Sequence, residues 1–304
     1  MKIQNKGIIR AVVASLIATV LIPVVATSSQ AVSKNGLKFT VSGTTASFDG
    51  CVDTCSSDLT IPSTVPGTTI KVTSIETSSL YNVSLRNLTL PSTIIRIREN
   101  ALQGATIQNA LVLPSGLTTI ESNAFNGAIL TSINFGTSIT YFGDGAFRGA
   151  TITEQPSLHM KSGVIASGAF GGISFGTVTL DAGVTSVGSN AFAKTFGQSS
   201  NPTIQTLSIA GGDILVAAFS EVVINRISLG SKIGVIQTGA FGGPSFSDPI
   251  SRGSLTIGSG YIEQGAFSNS NFTSVTVSKG VGFIGSGAFG TGGFGAAPSL
   301  GPVS

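Results

Sequence analysis

The chain has no tryptophan, three tyrosines, one histidine and two cysteines in 304 residues, and only 10% of its side chains are charged. Each scarcity excludes something. His159 is the sole histidine, so a zinc site would have to find its remaining soft ligands in one close cysteine pair, and no metal or cofactor is expected. Acidic residues are scattered at one or fewer per repeat, which leaves no paired carboxylates for acid–base hydrolysis. Of the 16 basic residues, three (Lys2, Lys6 and Arg10) fall within the first ten; the remaining 13 balance the 13 acidic ones. With neither a basic stripe nor interleaved aromatics, nucleic acid is excluded as a partner.

What is present first is a leader pattern. A basic start is followed by an apolar run over residues 11–25, and Ser29 and Ala31 are small residues at the spacing of an export cleavage site. These features predict a signal peptide over residues 1–31. An uncleaved anchor is the competing reading. Fifteen residues, however, span only about 22 Å as a helix against a hydrocarbon core of about 30 Å, and Pro23 interrupts the run. No later segment is long and apolar enough to cross as a helix. In an exported chain, Cys51 and Cys55 are expected to form a disulfide; closing so short a loop stabilises by only about 2 kcal/mol.

The dominant feature is a period. Large apolar residues recur at Leu80, Leu102, Phe125, Phe147, Phe170, Phe192, Phe219, Phe241, Phe267 and Phe289, with gaps of 22, 23, 22, 23, 22, 27, 22, 26 and 22 residues. Eight of the ten read Ala-Phe, and each is preceded five residues earlier by Ile, Val or Phe. A repeat of this size predicts a solenoid of about ten turns, each burying its apolar face only against its neighbours. Alternation around Ile133 and Phe135 predicts a short half-buried parallel strand per turn, and a second extended piece carries Ile139 and Phe142 inward. Asn or Gly before Ala-Phe (Asn123, Gly145, Gly168, Asn190, Gly239, Gly265, Gly287) suits a tight corner, which is expected to enter a single helical turn.

The expected organisation is a signal peptide over 1–31, an N-terminal cap with the disulfide over 32–57, the solenoid over 58–290 and a flexible Gly/Pro/Ala/Ser-rich tail over 291–304. Within the cap, residues 37–41 and 46–48 alternate like a hairpin. Two insertions, 197–202 and 244–253, are expected to be exposed loops.

The Leu-x-x-Ile-x-Phe string at Leu130, Ile133 and Phe135, the Ala-Phe signature and the 22 to 23-residue step resemble the BspA-type leucine-rich repeat of bacterial and some protist surface proteins. Segments 85–92 and 111–125 carry the pattern best. The Asn that other leucine-rich repeats stack inside the turn after the strand is missing, as are many of the Cys and Leu residues usual after Ala-Phe in this type. The resemblance implies a secreted or cell-surface role in adhesion or host interaction.

Two short strings match catalytic or cofactor motifs. Gly172-Ile173-Ser174-Phe175-Gly176 reads as a nucleophile elbow and residues 285–290 as a dinucleotide fingerprint. Both fall in corners that every repeat fills with Gly and Ser, and chance accounts for them. An enzyme is not expected.

The two outward positions of the first strand in each turn form two columns of small hydroxyls and amides. They are Asn87, Thr89, Ser132, Asn134, Thr177, Thr179, Thr206, Ser208, Ser228, Thr256, Ser274 and Thr276, and His159 is expected among them as a solvated strand residue. Stacking at about 4.8 Å would align them on one continuous parallel sheet. This face is the candidate binding surface for an extracellular protein or glycan. It lacks Trp and Tyr anchors, and the competing reading is a structural spacer whose Ser and Thr simply face water.

Overall fold

A computed structural model of the chain describes residues 29–243 and 250–290. Residues 1–28 of the expected leader, residues 244–249 at the start of the second insertion and the tail over 291–304 lie outside the described residues. The described chain is a parallel β-solenoid of about ten turns. Its periodic apolar residues form the core: Phe125, Phe147, Phe170, Phe192, Phe219 and Phe241 are fully buried, and Leu80 and Leu102 fill the same column in the first two turns. The rings from Phe125 to Phe289 stack turn on turn with centroids 4.6 to 5.6 Å apart. A second buried column runs through Ile75, Ile97, Ile120, Phe142, Ile165, Val187, Ile214, Ile236 and Ile262. Each such side chain stabilises by about 1.5–3 kcal/mol through burial, and the two columns meet along the solenoid axis.

The corners carry the positive φ that the sequence predicts: Asn123, Gly145, Gly168, Asn190, Gly239, Gly265 and Gly287 all lie in the left-handed region, together with Asn100 and Ala217. The expected helical turns are absent; no helix occurs among the described residues. The reason lies in where the amide hydrogens go. Within one corner the N–H groups of Ala124, Asn126 and Ala128 donate to the carbonyls of Glu121, Asn123 and Phe125, three residues back. The intervening N–H groups of Asn123, Phe125 and Gly127 donate instead to Asp144, Ala146 and Arg148 in the next turn, at 2.7 to 2.9 Å. An α-helix needs consecutive amides bonded within the segment, so alternate sharing with a neighbour excludes it. The corners are overlapping β-turns welded into a ladder.

Sheet structure differs along the axis. In the first turns each repeat has three short strands. Ser84–Leu85, Thr106–Ile107, Ile129–Leu130 and Thr151–Ile152 form one parallel sheet. The strands ending at Ile75, Ile97, Ile120 and Phe142 belong to another, which continues to the last turn as a 13-stranded sheet. From Ser157 onward the first and second extended pieces fuse into single strands of 9 to 15 residues: Ser157–Ile165, Phe175–Val187, Thr203–Ile214, Val223–Ile236, Ile250–Ile262 and Ser270–Ile284. A bulge between Gly163 and Val164 marks the old corner. Gly163 has φ +105°, and a Cβ there would fall 1.8 Å from the Thr140 carbonyl oxygen, so only glycine fits the bulge.

At the N-terminal end, Gln30–Lys34, Leu37–Ser42 and Thr45–Cys51 form an antiparallel meander whose last strand pairs in parallel with Lys71–Ile75. The first strand includes Gln30 and Ala31, on the leader side of the expected cleavage point. Phe39 and Phe48 are fully buried and meet edge to face at 6.0 Å, closing that end of the core. Cys51 and Cys55 are disulfide-bonded. The second expected loop, 244–253, needs correction: its last residues, from Ile250, already belong to a strand that pairs with Ser270, Asn271 and Phe272.

Candidate functional site

The first-strand face is assembled by register. Thr177 lies beside Ser157 and Thr206, and Thr206 beside Arg226. One position along, His159, Thr179, Ser208, Ser228, Thr256 and Thr276 form an uninterrupted column across six strands. The apolar neighbours Val178, Leu180, Leu207, Ile209, Leu229 and Ile257 point inward and are buried. Strict alternation therefore leaves the hydroxyls at the surface. Thr89, Asn134, Ser228, Thr256, Ser274 and Thr276 are exposed, while Asn87, Ser132, Thr177, Thr179, Thr206 and Ser208 are half-buried between their neighbours.

The expected single continuous sheet is not what forms in the first turns. Asp58–Thr60 pairs with Asn87–Thr89, and Leu111–Val112 pairs with Ile133–Asn134, as two separate two-stranded ladders. Pro91 and Pro114 stand just beyond Asn87–Thr89 and Leu111–Val112 and cannot donate to a ladder, which limits how far those two strands extend. Ser132 precedes its strand, though its carbonyl still accepts the Leu111 N–H at 3.0 Å. The Asn134 side chain accepts the Gly136 N–H at 2.9 Å, so it holds its own turn.

Asn87 and Thr89 line an open groove of about 460 Å³, whose walls include Asp58, Thr60, Val112 and Pro114. Arg86 donates to both oxygens of Asp58, and Asn87 donates to the same carboxylate while its own oxygen accepts from Asn109 at 2.7 Å. The Arg86 hydrogen bonds, reinforced by Asn87, hold the Asp58 carboxyl below the usual carboxylate range. The groove thus offers a fixed anionic oxygen, two threonine hydroxyls and an apolar wall. It is suited to hydrogen-bonded recognition of a polar ligand.

Sequence reasoning missed Thr60. Asp58-Leu59-Thr60 repeats the alternation of Asn87-Leu88-Thr89 and could have been read in phase with it, but it sits at the edge of the cap. It also placed His159 as a lone solvated residue. His159 is exposed, but its Nε2 lies 3.0 Å from Asp181 Oδ2 one turn on. The elbow serine, Ser174, accepts the Thr203 N–H at 3.0 Å and so anchors a loop. Tyr141, Tyr261 and Phe283 are exposed on the second-piece strands, the last two directly paired, whereas the first-strand columns carry no aromatic.

A parallel solenoid with a 22 to 23-residue step, a buried aromatic column and short strands on every turn belongs to the leucine-rich-repeat class. Residues 73–199 and 194–292 match the BspA type leucine rich repeat region in six copies. The chain is a member of that family. Among curated proteins no match was found. Three solved structures are similar. A leucine rich cell surface protein from Faecalibacterium prausnitzii A2-165 is 20% identical, with 86% of this chain and 74% of that one covered and a TM-score of 0.44. A leucine-rich repeat protein from Bacteroides ovatus ATCC 8483 is 16% identical, with 85% and 79% covered and a TM-score of 0.43. The pneumococcal vaccine antigen PcpA is 11% identical, with 84% and 98% covered and a TM-score of 0.35.

Proposed function

We propose that the protein is an exported or surface-exposed leucine-rich-repeat binding module that contacts an extracellular glycan or protein through its first-strand face. The observation that carries this reading is the register of the hydroxyl column. His159, Thr179, Ser208, Ser228, Thr256 and Thr276 lie on successive strands of one sheet, and the Asn87–Thr89 groove lies on the corresponding strands of earlier turns. Such an array presents many weak, evenly spaced hydrogen-bonding groups and few charges. That chemistry favours repeated low-affinity contact with a polar polymer over a single tight protein interface, which draws on aromatic anchors. The leader pattern and the family both support export. The reading has no catalytic component.

The alternative, a spacer without a specific ligand, makes the opposite forecast for one experiment. Binding of the exported chain to a glycan array and to extracellular-matrix preparations is measured before and after Thr177, Thr179 and Thr206 are all changed to Lys. Saturable binding that the triple substitution removes supports the module. Absence of saturable binding, or binding untouched by the substitution, supports the spacer.

A further inference from the structure

The corner after Phe192 breaks the repeat. The step from Phe192 to Phe219 is 27 residues where its neighbours are 22, and the extra residues leave the solenoid immediately after Lys194. This insertion is seated. The Gln198 side chain accepts the Thr195 N–H at 3.0 Å and donates to the Gly172 carbonyl at 2.8 Å, pinning the loop to the preceding turn. The floor beneath it is glycine for a steric reason. A Cβ on Gly172, at φ +86°, would fall 2.7 Å from Gln198 Nε2 and 2.9 Å from Thr195 Oγ1. With the loop held so, Phe196 projects entirely into solvent, at 109% relative exposure, the most exposed large apolar side chain among the described residues.

Two turns earlier, Arg148 leans toward the same place. Its guanidinium lies across Gly168, where a Cβ would fall 2.2 Å from Nη2, and among the described residues its side chain has no ion pair or hydrogen bond. Between Arg148 and Phe196 the corner positions are Gly168, Gly171 and Ala193, small enough to leave a recess of about 400 Å³. Asn190, Lys194 and Thr195 complete its lining. Lys194 is only loosely balanced, with Nζ 3.8 Å from Glu221.

We infer that this recess binds an anionic sugar, a saccharide unit bearing a carboxylate or sulfate, at a site separate from the first-strand face. An unpaired guanidinium recognises a planar or tetrahedral oxyanion through two parallel N–H donors. The Asn190 amide and the Thr195 hydroxyl match ring hydroxyls, and a fully exposed phenyl ring at the rim covers the apolar C–H face of a sugar. The volume falls in the range of small-ligand clefts. A lipid surface would call for a broad polybasic patch, which a chain with balanced charge outside its leader does not supply. A protein partner would call for a wide apolar core around Phe196, and the recess is lined by Gly, Ala and polar groups.

The test uses the exported chain with 3′-sialyllactose, a hyaluronan tetrasaccharide and a sulfated heparin tetrasaccharide as anionic probes. Lactose, inorganic sulfate and anionic phosphatidylglycerol vesicles are the comparisons, read by calorimetry or ligand-observed NMR. At least one anionic saccharide is expected to bind. Arg148→Gln should weaken it about tenfold or more and Arg148→Lys by less, since lysine keeps charge but loses the fork. Phe196→Ala should weaken it several-fold, and the Thr177, Thr179, Thr206 triple-Lys variant should leave it unchanged. Both single sites are exposed, and an unchanged circular dichroism spectrum and melting curve confirm folding. The assignment is overturned if no anionic saccharide binds at millimolar concentration, if lactose or inorganic sulfate binds as well as the anionic sugars, if only vesicles bind, or if Arg148→Gln binds like the parent.

Discussion

Phe219 and Phe241 lie face to face with ring centroids 5.0 Å apart and planes 2° from parallel, one turn above the other. The same relationship recurs between Phe192 and Phe219 at 4.9 Å and between Phe241 and Phe267 at 5.0 Å. The spacing is set by the backbone, since the Phe219 N–H donates to the Ala240 carbonyl and the Phe241 N–H to that of Ala266. Side-chain stack and main-chain ladder therefore share one repeat distance.

Truncation of one ring should open a cavity that the rigid ladder cannot close. Phe192→Ala is expected to cost about 3–5 kcal/mol, whereas Phe192→Leu should cost about 1.5 kcal/mol or less, because Leu80 and Leu102 already occupy this column. Urea unfolding of both variants checks this. Equal losses for Ala and Leu would show that the column is not the packing core.

Ala217 adopts φ +55° at a corner where the other turns use Asn, Gly or, in the first turn, Ser78, a conformation that costs a side chain about 1–2 kcal/mol. Ala217→Gly should therefore stabilise the protein by about 0.5–1 kcal/mol despite the greater freedom of unfolded glycine. Asn123→Val, at the same φ with a branched side chain, should destabilise it by at least as much. Denaturant midpoints decide the sign in each case.

The repeat length, the two buried columns, the alternation of the first strands and the positive-φ corners were all legible in the sequence, because each depends on residues inside one turn. Features that depend on the next turn were not. Whether a corner such as 123–128 becomes a helix rests on Asp144, Ala146 and Arg148 accepting its alternate amides, and no local pattern announces that. The division of the first-strand face into separate ladders is visible only once the strands of successive turns are aligned. Thr60 and His159–Asp181 were hidden in the same way, by partners 29 and 22 residues distant.

At the groove, Asp58 has its folded pKa lowered by the Arg86 and Asn87 hydrogen bonds. A carboxyl with a depressed folded pKa contributes stability above its unfolded value and loses it as pH falls through the folded value. The contribution should thus be intact at neutral pH and vanish only on acidification below the ordinary aspartate range. Arg86→Gln should raise the Asp58 titration midpoint seen by carboxyl NMR. An unmoved midpoint would contradict the pairing.

The most direct test of the central claim is the salt dependence of whatever binding the first-strand face supports, measured on residues 32–304 carrying Arg148→Gln so that the corner recess does not contribute. The face holds hydroxyls and amides with few ion pairs to screen. Affinity for a responding glycan or matrix component should change little between about 20 and 200 mM salt and be abolished by Lys at Thr177, Thr179 and Thr206 together. Affinity that collapses across that range, or that survives the triple substitution, would place the binding site elsewhere on the solenoid.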